Sequence, residues 1–290
     1  CLAEFWSWQV SYEVMAALVG VGALTVLIVR EPSVNHFAAA QDIAHKIEQE
    51  AAKLTHLNPR LARLVGWFYA AVAGPFLDFF RRYKELALVI LLMVAVYRIS
   101  DIAMGVMANP FYLDFMGFSK TQVADVTKIF GFFMTIAGSL VGGVMVVRYG
   151  VRRILLLGAI MTAATNLLFV VLAQYPPNII TLAAVVSADN LSGGIANVAL
   201  IAWLSSMTSA SFTATQYALF SSLMTLPGKF LGGFSGIVVA GFGYAEFFLV
   251  AGIMGVPAIL LAIFMIRNGH RLDALAPRNE SKPDAEAVSP

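Results

Sequence analysis

Long apolar segments recur along the chain, separated by short stretches rich in charged or turn-forming residues. We name seven of them spans a to g in chain order, and they cover about Tyr12–Val29, Leu86–Ala108, Val123–Val147, Ile154–Ala173, Ile179–Met207, Tyr217–Ala240 and Phe247–Ile266. A helix needs roughly 20 apolar residues to cross the hydrocarbon core of a bilayer, and each segment comes close to that length or exceeds it. The pattern predicts an all-α membrane protein with about seven transmembrane helices.

Basic residues follow several of the spans and predict which side of the membrane they face. Arg30 follows span a, a basic turn (Arg148–Arg153) joins spans c and d, and Arg267 and Arg271 follow span g. The turn between spans d and e has no basic residue. Because cytoplasmic loops carry an excess of Lys and Arg, we place these three ends, the connector after span a and the C-terminal tail in the cytoplasm.

The connector between spans a and b covers residues 31–84. Ala38–Leu57 mixes good helix formers with many charges, which predicts a solvated helix. Leu64–Phe80 is mostly apolar but short, is interrupted by Pro75 and Asp78, and has basic residues on both sides. These features favour a helix that lies on the cytoplasmic interface over one that crosses. Residues 268–290 are expected to form a disordered cytoplasmic tail.

Composition supports a membrane protein and excludes several other classes. Only 12% of the 290 residues are charged, against about 25% in soluble domains. The net charge of +2 is too small to suggest nucleic-acid binding, and the basic residues lie mostly in loops. The one cysteine, Cys1, allows neither a disulfide framework nor a thiolate metal site.

The residue types that most enzymes need are missing from the spans. The four histidines lie in the connector or the tail, at His36, His45, His56 and His270. No span can therefore supply a histidine metal site or a Ser–His–Asp set, and no Gly-rich phosphate loop suggests ATP use. We expect a protein that is not an enzyme and holds no metal or cofactor. Because the chain starts without methionine and enters span a almost at once, we also expect a missing N-terminal part.

Three spans concentrate polar side chains on one helical face. The face of span b contains Tyr97, Arg98, Asp101, Gly105 and Asn109. The face of span e contains Asp189, Asn190, Gly193 and Asn197, and that of span f contains Ser222, Thr225 and Lys229. A charged side chain at mid-bilayer costs about 2.5–3.5 kcal/mol on insertion scales. We therefore predict a water-filled cavity lined by spans b, e and f, with the wholly apolar span g facing lipid.

Each of these residues has a structural alternative. Arg98 and Asp101 are three residues apart, so they can pair, and the pair can serve only to lock the bundle. Asp189 can hydrogen-bond a neighbouring helix instead of facing a cavity. Asn190 and Asn197 fit hydrogen bonds between helices better than ligand contacts.

Spans c and f carry further local signals. Lys229 lies near mid-depth of span f, which favours a cavity role over snorkelling to the headgroups. Pro227-Gly228 in the same span predicts a kink. The glycines of span c predict close approach of a neighbouring helix, and they are Gly131, Gly138, Gly142 and Gly143.

The turn after span c has a recognisable order of residues: Gly143, Arg148, Gly150, Arg152 and Arg153. It resembles the loop signature of the major facilitator superfamily, in which a glycine, an acid, an arginine, a second glycine and further basic residues follow in that order. The resemblance implies a gating loop. Val147 occupies the position of the acid, so the charge contact that the family attributes to that acid is not carried over.

A longer series of motifs extends across the chain outside the connector and tail. They are Ser7–Tyr12 (SWQVSY), Tyr97–Asp101 (YRISD), Asp189–Gly194 (DNLSGG), Phe212–Leu219 (FTATQYAL) and Gly228-Lys229. In this order they resemble the AmpG-type muropeptide permeases within that superfamily. Family members often carry glutamate for Asp189 and arginine for Lys229, which keeps the sign of each charge.

The resemblance implies twelve core helices in two halves of six. Residues 1–30 would be the last helix of the N-terminal half, 31–84 the cytoplasmic connector, 85–267 the C-terminal half and 268–290 the tail. Spans b, e and f would face the central cavity. The substrate and proton path would include Tyr97, Arg98, Asp101, Asp189, Asn190, Asn197 and Lys229.

The resemblance also implies a function. The cargo would be anhydro-muropeptides from cell-wall turnover, moved with protons across the bacterial inner membrane by alternating access. These products would serve wall recycling and, in some bacteria, the induction of β-lactamase. The partners would be the bilayer, the cargo and the missing N-terminal half, without which we expect no transport. Asp101 and Asp189 are candidate proton carriers, and Arg98 and Lys229 candidate holders of cargo carboxylates. The alternatives are another anionic cargo such as acetyl-CoA, or a receptor or scaffold that does not transport, which the buried charges count against.

Overall fold

A computed structural model describes residues 8–28, 58–69, 73–208 and 213–275 of the chain. The predicted helix over Ala38–Leu57, the basic end of span a at Arg30 and the tail beyond residue 275 lie outside these residues. All regular elements in the described ranges are helical, as predicted. The chain forms two compact units, residues 1–45 and residues 46–290.

The first unit contains one described helix, Trp8–Ile28. It coincides with span a and extends it by one turn at its N-terminal end. Its strongly apolar part, Tyr12–Thr25, is shorter than the candidate spans of the second unit. Span a is therefore confirmed as a helix, and its crossing of the membrane stays a prediction.

The described residues of the second unit contain six helices long and apolar enough to cross a membrane. They cover Leu86–Phe115, Lys120–Tyr149, Val151–Gln174, Ile179–Met207, Thr215–Phe242 and Tyr244–Arg267. These are spans b to g in order, so all six predicted spans are confirmed. Most are a few residues longer than their apolar cores.

Several spans are built from consecutive helices. Span b comprises Leu86–Tyr97, Ile99–Pro110 and a π-helical turn, Phe111–Phe115. Span c comprises Lys120–Ala124, a π-helical turn Asp125–Phe130, and Gly131–Tyr149. Spans d and e are the single helices Val151–Gln174 and Ile179–Met207. Span f comprises Thr213–Gly232 and Ser235–Phe242, and span g comprises Tyr244–Met254 and Val256–Arg267.

Glycines set the close contact between spans c and e; the sequence predicted close approach at the glycines of span c but not which helix approaches. A Cβ atom on Gly138 would clash with the carbonyl oxygen of Leu191, and one on Gly142 would lie 2.9 Å from the Ile195 Cα. Gly194 of span e approaches the Thr135 carbonyl of span c in the same way. Gly143 differs, because its Cβ position is open. Small residues on both helices thus let the two backbones touch.

Span b packs between spans f and g. Gly228 and Gly232 of span f lie against Ile102 and Val106 of span b. On span g, Phe248 and Ala251 are buried, whereas Ile253 and Leu260 are exposed. Span g therefore has one packed side and one apolar outer side, in agreement with the predicted lipid-facing position.

The helix is not interrupted at the predicted kink, Pro227-Gly228, and a bend there stays a prediction. The helix continues through Pro227 to Gly232 and is interrupted at Gly233-Phe234. There the amide of Gly233 is shared between the Lys229 and Phe230 carbonyls at 3.2 Å each. Gly232 and Gly233 are adjacent, and glycine has a low helix propensity, which explains a break at this point.

The predicted single helix over Leu64–Phe80 is also corrected. The described residues form two helices, Pro59–Phe68 and Gly74–Tyr83, and Pro75 in the first turn of the second is well placed to start a helix. We call Gly74–Tyr83 the connector helix. Whether this region lies on the membrane or crosses it stays a prediction.

The connector helix packs on the ends of spans e and f. Phe79 contacts Phe220, and Gln216 donates hydrogen bonds to the Pro75 carbonyl and to Asp78, each at 3.1 Å. The Tyr83 hydroxyl faces the Met207 carbonyl at 3.4 Å, and burial raises the pKa of this phenol above 10.0. The connector is therefore part of the packed unit at this helix.

The predicted start of the disordered tail is wrong. Residues 269–275 form a helix, Gly269–Leu275. Leu272 is 2% exposed in the core that contains Phe79 and Trp203, and Leu275 packs against that core. Leu272 and Leu275 are three residues apart and give this short helix an apolar face. The prediction of disorder, which followed the charged residues of the tail, overlooked this face.

Candidate transport cleft

A small, narrow cleft of about 10 Å³ lies between spans b, d and e, with room for about one water molecule. It is lined by Tyr97, Arg98 and Asp101 of span b, Thr162 of span d, and Gly193, Ala196 and Asn197 of span e. Four of the residues predicted for the substrate and proton path thus meet in one place. Span d joins spans b and e there, which the sequence did not predict.

Arg98 and Asp101 form the predicted ion pair. Both the Nε and Nη2 atoms of Arg98 donate to Asp101 Oδ2, the former at 3.2 Å. The two side chains are 33% and 24% exposed, so the pair is partly open to the cleft. Arg98 lies where span b is interrupted between its first two helices. A partly buried guanidinium is stabilised by an anionic partner, and Asp101 supplies it from the next turn.

Asp189 lies deeper and is held by hydroxyl groups. Its Oδ1 atom accepts a hydrogen bond from Thr165 of span d at 3.1 Å. Its carboxylate lies within electrostatic range of Asp101 and of the Tyr112 phenol. In the described part of the chain, Asp189 has no ion pair. Two acidic groups near each other, one paired with a cation and one not, form an arrangement that can bind a proton.

The two asparagines of span e have different surroundings. Asn190 accepts a hydrogen bond from Thr135 of span c at 3.0 Å, donates to the Val186 carbonyl at 2.8 Å and packs on Gly131. These contacts favour an interhelical role. Asn197 lines the cleft. The sequence did not separate them, because both belong to the same polar face.

Tyr97 ties span b to span d. Its hydroxyl donates to the Leu155 carbonyl at 2.9 Å, and its side chain is 6% exposed. Gly158 of span d leaves room for the phenol oxygen, since a Cβ atom there would lie 2.8 Å from it. Tyr97 therefore fixes the wall of the cleft on which Arg98 and Asp101 lie.

Lys229 is not brought to the cleft. It is exposed and is not among the described residues that line the cleft or form ion pairs. Span f packs on span b through Gly228 and Gly232. Successive side chains of a helix point about 100° apart, so Lys229 is turned away from the contact that Gly228 makes. Whether Lys229 faces the substrate path stays a prediction.

The predicted gating loop joins spans c and d at the end predicted to be cytoplasmic. Gly150 has a φ of +86°, a conformation that glycine adopts without strain. Arg152 donates to the Gly269 carbonyl at 3.3 Å, and the Arg148 guanidinium lies 5.6 Å from the Tyr149 ring centre. Val147 is 89% exposed. The loop borders a cavity of about 550 Å³ whose lining includes Arg152, Arg153, Trp203 and Met207.

A buried polar network beside the cleft was missed by the sequence analysis. Asn166 of span d donates to the Ser100 hydroxyl, which donates to the Ala251 carbonyl of span g at 2.6 Å. Ser100 and Asn166 are 2% and 0% exposed. The available signal was the spacing of Thr162, Thr165 and Asn166, which places three polar groups on one face of span d.

Metal chemistry finds no support in the described ranges, which contain no group of three His, Cys, Asp or Glu side chains arranged to hold a metal ion. The cleft is lined instead by a guanidinium, one carboxylate, an amide and hydroxyl groups. These groups bind protons and polar or anionic solutes.

Comparison with known families decides the class of protein. Residues 86–288 match the profile of the Major Facilitator Superfamily. The chain belongs to this superfamily. The superfamily is one of multi-pass membrane transporters and not of enzymes, and spans b to g lie within the matched region.

The similar curated proteins are transporters as well. The "Putative transporter AmpG 4" of Rickettsia felis is 26% identical over 259 residues, which cover 89% of this chain and 57% of that protein. The "Anhydromuropeptide permease" of Escherichia coli (strain K12) is 29% identical over 263 residues, 90% of this chain and 48% of that protein. The "Putative transporter AmpG 1" of Rickettsia bellii is 33% identical over 181 residues, 62% and 44% respectively. The chain spans about half the length of these relatives.

Proposed function

We propose that the complete protein takes up anhydromuropeptides together with protons across the bacterial inner membrane. The observation that carries the proposal is the cleft between spans b, d and e, where Arg98, Asp101 and Asn197 meet within a transporter fold. The printed name of the Escherichia coli relative supports the class of cargo. The superfamily supports alternating access between two halves.

The Arg98–Asp101 pair gives a physical basis for coupling. While Asp101 is ionised it occupies the guanidinium of Arg98. Protonation of Asp101 removes the counter-charge and leaves Arg98 free to bind a carboxylate of the cargo, since a partly buried cation is stabilised by an anionic partner. Proton binding and cargo binding then favour each other. Release of the cargo carboxylate lets Asp101 lose its proton and pair again.

The proposal requires an opposing wall for the cleft. We infer that this wall is the N-terminal half of the complete protein, because the chain spans about half of its relatives. Transport is accordingly assigned to the complete protein, and the chain of 290 residues alone is expected to accumulate no cargo.

A competition experiment tests the cargo. Proteoliposomes containing the complete protein take up labelled anhydromuropeptide in the presence of excess unlabelled anhydromuropeptide or excess acetyl-CoA. Excess anhydromuropeptide is expected to reduce uptake of the label, whereas excess acetyl-CoA is expected not to. Equal or stronger competition by acetyl-CoA would reject muropeptide as the preferred cargo while leaving a transporter of anionic solutes.

A further inference from the structure

One hydroxyl group, that of Thr165, lies between the carboxylate of Asp189 and the backbone of its own helix. Its Oγ1 atom is 3.1 Å from Asp189 Oδ1, 3.0 Å from the Thr162 carbonyl oxygen and 3.3 Å from the Ser192 hydroxyl. Thr165 is 6% exposed and Ser192 is fully buried, so these protein atoms surround the hydroxyl.

A threonine hydroxyl carries one proton and accepts through its oxygen. The Ser192 hydroxyl donates to the Asp189 backbone carbonyl at 2.8 Å, so its oxygen is an acceptor toward Thr165. Thr165 is therefore surrounded by three acceptors: the Asp189 carboxylate, the Thr162 carbonyl and the Ser192 oxygen. It can donate to only one of them at a time.

The charge of Asp189 determines which acceptor is used. An ionised carboxylate is the strongest acceptor of the three, and Thr165 then donates to it. A protonated Asp189 has its own O–H, which donates to Thr165 Oγ1. The Thr165 proton then turns to the Thr162 carbonyl. No covalent bond changes in Thr165, and the proton on Asp189 comes from solvent.

We propose that Thr165 is a positioning residue that exchanges its hydroxyl donation between Asp189 and the Thr162 carbonyl as Asp189 gains or loses a proton. Thr162 lines the cleft with Arg98 and Asp101. The exchange therefore links the protonation of span e to the turn of span d that borders the cleft. The exchange thus gives span d a role in the mechanism. The polar faces of spans b and e alone do not suggest this role.

The groups that surround Asp189 are few. Span b contributes Asp101, which is paired with Arg98, and the Tyr112 phenol. The described charged residues of span c near its outer end, Asp125 and Lys128, are exposed, as is Lys229 of span f. Thr165 is the described side chain that donates to the Asp189 carboxylate.

Infrared titration of the complete protein in lipid tests the exchange without any cargo. The carbonyl band of a protonated carboxylic acid that disappears in Asp189→Asn belongs to Asp189. Thr165→Val keeps the shape of the side chain and removes the hydroxyl, so the ionised carboxylate loses a donor. Its titration midpoint is expected to move about one pH unit or more toward higher pH. Thr165→Ser restores a hydroxyl and is expected to titrate as the unmodified protein.

Thr127→Val is the matched control, because Thr127 donates to the Val123 carbonyl of its own helix at 2.7 Å and is not among the residues that line the cleft. Its midpoint is expected to stay unchanged. A Thr165→Val midpoint equal to that of the unmodified protein, or the absence of any band assigned to Asp189, would overturn the inference.

The inference rests on the proposed proton coupling, which gives the hydroxyl exchange its role in transport. The experiment distinguishes failure of the inference from failure of the proposed function. A shifted midpoint without proton-driven uptake would reject the proposed function alone. Proton-driven uptake with an unshifted midpoint would reject only the role of Thr165.

Discussion

At the residue scale, the structure separates groups that the sequence could only place on the same face. Asn190 and Asn197 both lie on the polar face of span e, yet Asn190 binds span c and Asn197 lines the cleft. Helical periodicity gives the direction of a side chain relative to its own helix. It does not say which neighbour occupies that direction, and packing decides the difference.

Replacing each asparagine with alanine should give opposite results. Asn190→Ala removes the hydrogen bond from Thr135 and is expected to lower the free energy of unfolding by about 0.5–1.5 kcal/mol while leaving the KM for cargo unchanged. Asn197→Ala is expected to raise the KM with little loss of stability. Thermal unfolding and uptake kinetics of the complete protein measure both quantities. A raised KM in Asn190→Ala alone would reverse the assignment of the two residues.

Charge and hydroxyl patterns differed in how well they were predicted. The Arg98–Asp101 pair followed from a spacing of three residues, because the two partners share one helix face. Lys229 was predicted at the cavity from its depth, and the structure leaves it exposed and outside the lining of the Arg98–Asp101 cleft. Thr165 and Asn166 were missed because a hydroxyl or amide group in an otherwise apolar span can be explained by ordinary hydrogen bonds within or between helices.

At the scale of the element, helix positions and lengths could be predicted well and helix interruptions poorly. Spans b to g appear where the apolar runs are, because bilayer-length hydrophobicity is a strong signal. The break at Gly233-Phe234 depends on local backbone hydrogen bonds. The same is true of the start of the connector helix at Gly74-Pro75, which divides the connector into two helices. The short helix Gly269–Leu275 depends on contacts with a distant core, which sequence alone does not show.

The contact between spans c and e predicts a large effect of one methyl group. Gly138→Ala would drive its Cβ into the Leu191 carbonyl, so the helices must separate. Overpacking of this kind costs about 1–3 kcal/mol. Gly143→Ala on the same helix meets open space and is expected to leave the melting temperature unchanged or slightly higher. Equal melting temperatures for the two variants in the complete protein would contradict the close contact.

The docking of the connector helix predicts a second contrast. Phe79 is 1% exposed and packs on Tyr83 and Phe220, so Phe79→Ala is expected to cost about 3–5 kcal/mol. Leu77→Ala on the same helix is the control, because Leu77 is 39% exposed, and it is expected to cost far less. Thermal unfolding followed by tryptophan fluorescence measures both. Similar losses for the two would mean that this helix does not dock as described.

At the scale of the whole molecule, the fold places Arg98 and Asp101 of span b at one cleft and leaves mainly apolar side chains on the outer side of span g. Charged groups in a bilayer are expensive unless they face water or a partner. A six-helix unit that gathers them in this way fits one half of a transporter of this superfamily.

Proton-driven uptake tests the central claim most directly. Labelled anhydromuropeptide is supplied to proteoliposomes of the complete protein with and without an inward proton gradient, for the unmodified protein, Asp101→Asn and Asp125→Asn. Asp125 is exposed near the outer end of span c and serves as the matched control. The gradient is expected to drive accumulation in the unmodified protein and in Asp125→Asn, and to have no effect in Asp101→Asn. Accumulation by Asp101→Asn at the unmodified rate would contradict the assignment of this cleft to transport.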